Sequence, residues 1–202
     1  TIASAAVSSE SLESLLETAA DEAVHALEAS SVSISQCEAD TRVLRVIVNA
    51  GMLADWEERR PASEIYRLEE NSAARGQILE GRTHQARLDD SSIAEPDRQL
   101  LERVGKACFA AVPIMIGGAP WGELLATRAP GAPPFRDREL RLLQTIAAQV
   151  AAAAARMRVF SQMAELAFRD PRTSVGNRRA FDERIELAVA EAATEGRMLA
   201  VI

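Results

Sequence analysis

The hydrophobic positions of this chain follow a helical period first, then a strand period, and finally a helical period again. Leu12, Leu15, Leu16, Ala19, Ala23 and Leu27 recur every three or four residues, with Glu13, Glu17, Asp21 and Glu28 off that stripe. The spacing predicts a first helix from about Ser9 to Ala29. Two strand-like runs follow, Ser31 to Gln36 and Val43 to Val48, separated by the polar turn EADT. Asn49 to Pro61 reads as a loop carrying Trp56, and Ser72 to Glu80 as a short helix closed by Gly81. THQARL is a candidate strand, and EPDRQLLERVG a short helix ending at Gly105. In CFAAVPIMIGGAPWGELLATR two apolar strands flank paired glycines, which supply the positive φ of a tight hairpin turn. The proline- and glycine-rich APGAPPF then precedes the longest helix, about Asp137 to Phe168. The order helix, two strands, helices, hairpin and helix suits an antiparallel sheet with helices packed on it, an α+β domain. No internal repeat suggests a solenoid.

Composition narrows the function classes. The chain has 202 residues, 48% hydrophobic and 26% charged, which is ordinary for a globular protein. A net charge of -7 gives no general electrostatic reason to bind nucleic acid or an anionic membrane surface. Basic charge is arginine apart from Lys106, a bias read as that of a GC-rich genome. The run IAAQVAAAAA is short and interrupted by Gln149, so no membrane insertion is expected. No signal peptide is visible, and a cytoplasmic location is expected; the start without methionine leaves room for upstream sequence. Cys37 and Cys108 read as buried reduced thiols, with a disulfide left open and too few partners for a metal site.

Three stretches carry a more specific pattern: SAARGQILEGRTHQARLDD, LLERVGKACFAAVPIMIGGAPWGELLATR and FRDRELRLLQTIAAQVAAAAARM. Val112-Pro113 in a strand, the GGAPWG hairpin with Gly122 and the helix led by Phe135 resemble the second half of a GAF domain. With the first half included, the resemblance covers about residues 9 to 160. It implies a GAF-like antiparallel sheet flanked by helices, with a pocket for an unknown small-molecule ligand on one face, or a plain dimerisation role. Trp56 and Tyr66 lie in the segment that covers the pocket in such domains, and are candidate ligand contacts. Some GAF sensors bind haem through a histidine, but His25 and His84 read as surface or internally satisfied residues. Neither cysteine sits in a bilin-attachment motif. The acid pairs Asp89-Asp90 and Glu57-Glu58 read as solvated loop residues.

A second motif ends the long helix. In AELAFRDPRTSVGNRRAFDERI, Pro171 disfavours helical backbone at Asp170, and Asp, Thr, Ser, Gly and Asn then supply turn chemistry. Phe181, Ile185, Ala188, Val189 and Ala192 predict a new amphipathic helix, stopped by Gly196, with a buried strand beginning at MLAVI. The stretch is similar to the opening of GGDEF domains, the catalytic domains of diguanylate cyclases. Asp170, Thr173, Asn177, Arg178 and Arg179 match, while Arg172, Ser174 and Val175 replace leucine, glycine and leucine. The resemblance implies that Asn177 hydrogen-bonds the guanine base of GTP, an amide offering both donor and acceptor. Read from the residues alone, Asn177 is a turn or cap residue. Asp170 is expected to pair with one of the arginines. The family's metal-binding acids and signature loop are expected beyond Ile202, so this chain has no catalytic residue or cofactor of its own. Magnesium and GTP belong to the complete GGDEF domain.

The expected layout is a GAF sensory domain over residues 1–136, its N-terminal helix from about residue 9. A final helix follows, continuing over 137–169 as a coiled-coil signalling helix, and then the truncated α/β start of a GGDEF domain over 170–202. Leu140, Leu143, Ala147, Val150, Ala154, Met157, Ser161, Ala164 and Phe168 alternate spacings of three and four, predicting a homodimeric seam. The expected function is sensory and regulatory, in a parent diguanylate cyclase that condenses two GTP to cyclic di-GMP, with or without a phosphodiesterase domain. The alternatives are a degenerate GGDEF module that binds GTP without turnover, or the input region of a histidine kinase. The kinase reading lacks a phosphoacceptor histidine after the helix.

Overall fold

The first amphipathic stretch forms helix α1, Ile2–Ala26, which gives way where Glu28 takes a φ of 49°. That left-handed residue closes the last turn, and Ala29 N–H donates to Val24 O at 3.0 Å. Leu16, Ala20, Ala23 and Leu27 form the buried stripe, whereas Leu15, expected on it, is 40% exposed. At about 100° per residue, Leu15 stands on the flank of a contact that Leu16 already fills. The computed structural model describes residues 2–38, 43–67 and 80–168, with 177, 181, 185, 188, 189, 192–194, 196 and 198 beyond them. These fall into two compact units, Ser11–Ala155 and the combination of Thr1–Glu10 with Arg156–Ile202.

The larger unit is built on a six-stranded antiparallel sheet. Its strands are β1 Ser31–Glu38, β2 Val43–Gly51, β3 Ile65–Arg67, β4 His84–Arg87, β5 Cys108–Ile116 and β6 Ala119–Arg128, in the spatial order β3-β2-β1-β6-β5-β4. Helix α2, Glu95–Val104, joins β4 to β5 and stops at Gly105, φ 65°. Helix α3, Asp137–Phe168, follows β6 and has the bounds that its periodicity predicts. The strand period sorts side chains between two faces. Val32 and Ile34 of β1, Val112 and Ile114 of β5, and Leu124 and Ala126 of β6 join the core with α1 and α3. On the opposite face Phe109 and Ala111 pack with Leu101 of α2 and Ala86 of β4.

Three glycines fix the sheet's geometry. Gly117 and Gly118, at φ 61° and 82°, make the turn between β5 and β6. Gly122 permits close approach of β6 to β1, since a Cβ there would lie 2.1 Å from the Ser35 carbonyl oxygen. Strand β3 is the element the sequence does not predict. The expected loop shifts to residues 52–64, because Asn49 to Gly51 extend β2 and the chain enters β3 only at Ile65. The EADT turn beyond Glu38 and the helix expected over Ser72 to Glu80 lie outside the described residues, apart from Glu80 in a turn.

Arg128 ties the end of the sheet to both helices on its inner face. Its side chain is 4% exposed. Nη2 donates to Leu27 O at 2.7 Å and to Glu139 Oε1 at 2.6 Å, and Nη1 to Pro133 O at 2.8 Å. The guanidinium also lies 4.3 Å from the Phe135 ring centre. Burial alone would raise the Glu139 carboxyl, but the Arg136 N–H and the Arg128 guanidinium outweigh it and hold it below the usual range.

Helix α3 corrects the expected dimer seam. Leu143, Ala147, Val150 and Ala154 are at most 4% exposed within one chain, and the first three belong to the core under the sheet. A three-and-four spacing serves a partner helix and a sheet equally well, and here the sheet takes the first half of the stripe. Further along, Val159, Phe160 and Met163 are 49%, 60% and 64% exposed. The side chains of Ser161, Ala164 and Phe168 lie outside the described residues, as do Asp170, Thr173, Arg178 and Arg179. In the smaller unit Phe181 N–H donates to the carbonyl of half-buried Asn177 at 3.0 Å. Positions 181, 185, 188, 189 and 192–194 are helical, and Gly196 has φ 64°. Phe181 and Val189 are about half exposed, and Met198, expected to open a buried strand, is fully exposed and outside any strand.

Gly122→Ala is expected to lower stability by about 1–3 kcal/mol, read as a drop in Tm of about 2–4 °C per kcal/mol. Leu143→Asp is expected to cost on the order of 4 kcal/mol by burying an unpaired charge. Cooperative unfolding of the domain should therefore be lost, with circular dichroism separating this from simple dissociation.

Candidate functional site

The sheet face away from α1 and α3 carries a cavity. In β1 the alternation SVSIS sends Val32 and Ile34 to the core and sets Ser31, Ser33 and Ser35 along the cavity floor. Strand β6 adds Glu123, Leu125 and Thr127, β5 adds Phe109, and β2 adds Val46. Leu100, Leu101 and Val104 of α2 form an apolar wall, while Glu57 and Glu64 of the 52–64 loop and Tyr66 of β3 complete the lining. About 20 Å³ is enclosed, room for a water-sized group.

The polar groups here are organised by short hydrogen bonds. Ser31 Oγ and Thr127 Oγ1 are 2.7 Å apart and buried. Tyr66 OH donates to Glu64 Oε1 at 2.7 Å, and Asn49 Nδ2 donates to Glu64 Oε2 and to Glu58 O, both at 3.0 Å. Asn49 is wholly buried, and its Oδ1 has no partner among the described residues. Glu57 Oε2 accepts the Ala54 N–H at 2.6 Å. Burial pushes the Glu57 carboxyl above its usual range, and the Glu64 charge adds to the effect. Lys106 is buried and donates from Nζ to Met52 O at 2.6 Å; burial pulls its ammonium down, while Glu57 partly offsets this.

The loop that supplies Glu57 is fastened on two sides. Trp56 Nε1–H donates to Arg103 O at 3.3 Å, and the Arg103 guanidinium lies 4.1 Å from the Trp56 ring centre. Arg59 makes two hydrogen bonds to Asp21 of α1, at 2.7 and 3.1 Å, and Arg60 pairs with Glu17. These guanidinium contacts hold the Asp21 and Glu17 carboxyls below the usual range. The loop therefore bridges the end of α2 to α1.

Of the two candidate contacts, Tyr66 lines the cavity and Trp56 pins the loop beside it. Glu57, read from sequence as solvated, lines the cavity, and no local signal distinguishes it from Glu58. The serines of β1 do have a signal, a hydroxyl at every second position opposite buried aliphatics. Asp89 pairs with Arg87, and Asp90 accepts the Ser92 N–H in an exposed turn. His25 is exposed, with Nδ1 2.7 Å from Asp21 O, and His84 donates from Nε2 to Asp97 Oδ2 at 3.0 Å beside Phe109. Neither histidine lines the cavity, and neither does Cys37 or Cys108, whose thiols burial pushes up. Among the described residues no group of three or more His, Cys, Asp or Glu could hold a metal ion, and no helix is long and apolar enough to cross a membrane.

An antiparallel sheet with two helices on one face and a lined cavity under a third helix makes this an α+β domain. The family model for the GAF domain matches residues 11–154, and the chain belongs to that family. A Streptomyces griseus protein described as "Uncharacterized protein in hutH 5'region" is 32% identical over 89 residues, 44% of this chain and only 37% of that protein. The PixJ GAF domain of Thermosynechococcus elongatus, in its blue-light absorbing form, superposes with a TM-score of 0.64 at 16% identity, over 77% of this chain and 92% of that one. A GAF domain/HD domain protein from Geobacter sulfurreducens gives 0.58 at 13% identity, over 74% and 95%. At these identities the structural likeness is one of fold.

Because the folded state holds the Glu57 proton more tightly than the unfolded chain does, ionising Glu57 costs stability as pH rises through its raised value. Glu57→Gln is expected to stabilise the domain at about pH 7.5 and to have no such effect at about pH 3.5, below the ordinary glutamate value of about 4.3. Urea midpoints at the two pH values check this; an equal gain at both would contradict it.

Proposed function

We propose that the chain is the sensory and dimerisation region of a bacterial cyclic di-GMP signalling protein, its parent a cytoplasmic diguanylate cyclase condensing two GTP. The observation that carries this reading is the helix α3, which starts in the sensory domain and leads to the GGDEF-like stretch with Asp170, Thr173, Asn177, Arg178 and Arg179. A small ligand enters the cavity without haem and moves the 52–64 loop. The Arg59–Asp21 and Arg60–Glu17 pairs pass that displacement to α1, and Arg128 links the end of α1 to the first turn of α3. The ligand then selects between arrangements of nearly equal energy, the only kind it can shift. Each cyclase domain holds one GTP, so two must face each other, and a homodimer along α3 provides this. Val159, Phe160 and Met163 are exposed apolar side chains of the second half of α3 among the described residues.

Asn177 would contact the guanine base. No metal-ligating cluster occurs among the described residues, so no step of the chemistry is assigned to magnesium within them. The replacements at Arg172 and Ser174 favour a second reading, a GGDEF module that binds GTP without turnover.

The parent protein incubated with GTP and magnesium is expected to form cyclic di-GMP, with Asn177→Ala raising KM for GTP about tenfold, the loss of about one base hydrogen bond. GTP binding without product supports the second reading, and absence of GTP binding overturns both. Phe160→Glu is expected to weaken the dimer about tenfold or more in sedimentation equilibrium, with the circular dichroism of the domain unchanged. A chain that is monomeric at micromolar concentration before the substitution refutes the dimer.

A further inference from the structure

Resting on the reading that the cavity beneath α2 is the sensory site, we infer that its ligand is a small organic cation, a protonated primary amine on an apolar body. The strand order separates two kinds of lining. Toward β3 stand Glu57, Glu64 and the hydroxyls of Ser33 and Ser35, and toward β5 and α2 stand Phe109 and Leu101. Neither Glu57 nor Glu64 has an arginine or lysine within ion-pair distance among the described residues. Glu64 is held by the neutral Tyr66 hydroxyl and Asn49 amide, and Glu57 by one backbone N–H. A carboxylate offers about four lone-pair sites, so both keep accepting capacity after these bonds.

Ser35 is an independent pointer to the same ligand. The residue is 5% exposed, lines the cavity, and its hydroxyl has no hydrogen-bond partner among the described residues. Facing the cavity, this hydroxyl is open to accept from a bound donor. An alkylammonium head carries three donors and no acceptor, which complements two carboxylates and a hydroxyl. Its head is close to a water molecule in size, as is the enclosed space of about 20 Å³. An anion would meet three carboxylates, since Glu123 of β6 lines the cavity as well. A neutral ligand would bring no countercharge to Glu57 and Glu64, and the groups needed to hold a metal ion are lacking among the described residues. The apolar body would lie against the α2 wall, displacing it outward.

The test uses three probes of one carbon skeleton, n-butylammonium chloride, n-butanol and sodium butyrate, titrated into methyl-labelled chain. The methyl resonances of Val46, Leu101 and Leu125, which line the cavity, are the readout. Butylammonium is expected to shift them saturably and at least tenfold more tightly than butanol, with butyrate causing no shift. The double substitution Glu57→Gln, Glu64→Gln should lower butylammonium affinity about tenfold or more and leave butanol unchanged, the butanol titration reporting that the cavity is intact. If butanol or butyrate binds as well as the cation, the charge assignment is overturned while the sensory site stands. If none of the three shifts these methyls saturably, the cavity is not a ligand site and the inference falls with it.

Discussion

A guanidinium that is almost completely withdrawn from water sits where three elements of this domain meet. Arg128 ends the strand β6, yet its nitrogens serve the last carbonyl turn of α1, the two prolines that lead into α3, and the first-turn carboxylate of α3. A buried cation is tolerated only when such partners surround it, and removing one leaves the rest at a cost of several kcal/mol. The packing of both helices on the sheet thus depends on one side chain that belongs to neither. The Phe135 ring under the guanidinium adds an apolar seat, so the segment before α3 is fixed in direction before the helix begins.

The sheet divides labour between its faces through the alternation in β1. Valine and isoleucine supply the core shared with α1 and α3, while serines make the opposite face polar enough to carry carboxylates. The loop over residues 52–64 then touches both sides of the molecule's business. It contributes Glu57 to the cavity and is anchored by arginines to α1. A change at the cavity therefore has a short mechanical route to the other face that does not pass through the tightly packed core.

Much of this architecture is legible in the sequence, and the exceptions have physical causes. The β5–β6 hairpin is visible because only positive φ at Gly117 and Gly118 closes it, and α3 because a 32-residue apolar period admits little else. Strand β3 is illegible because three residues carry no period; Ile65 to Arg67 become a strand only by pairing with Val43 to Arg45. Tyr66 was within reach through the resemblance, but Glu57 was not. Two adjacent loop acids look solvated until the loop closes over α2 and desolvates one of them. The seam on α3 shows the same limit, since Leu143 and Val150 announce that they will be buried without saying against what.

The length of α3 has a consequence of scale. Its stretch within the larger unit, residues 137–155, measures roughly 28 Å at about 1.5 Å per residue, and a tilt of about 5° at the root would sweep the Ala155 end through about 2.5 Å. Its root is gripped by Glu139 on Arg128, so a rearrangement of a fraction of an ångström at that carboxylate is enlarged along a stiff rod. Leverage of this kind needs no chain of repacked side chains, only a helix that does not bend, and the alanine run from Ala151 to Ala155 is well suited to keeping it straight.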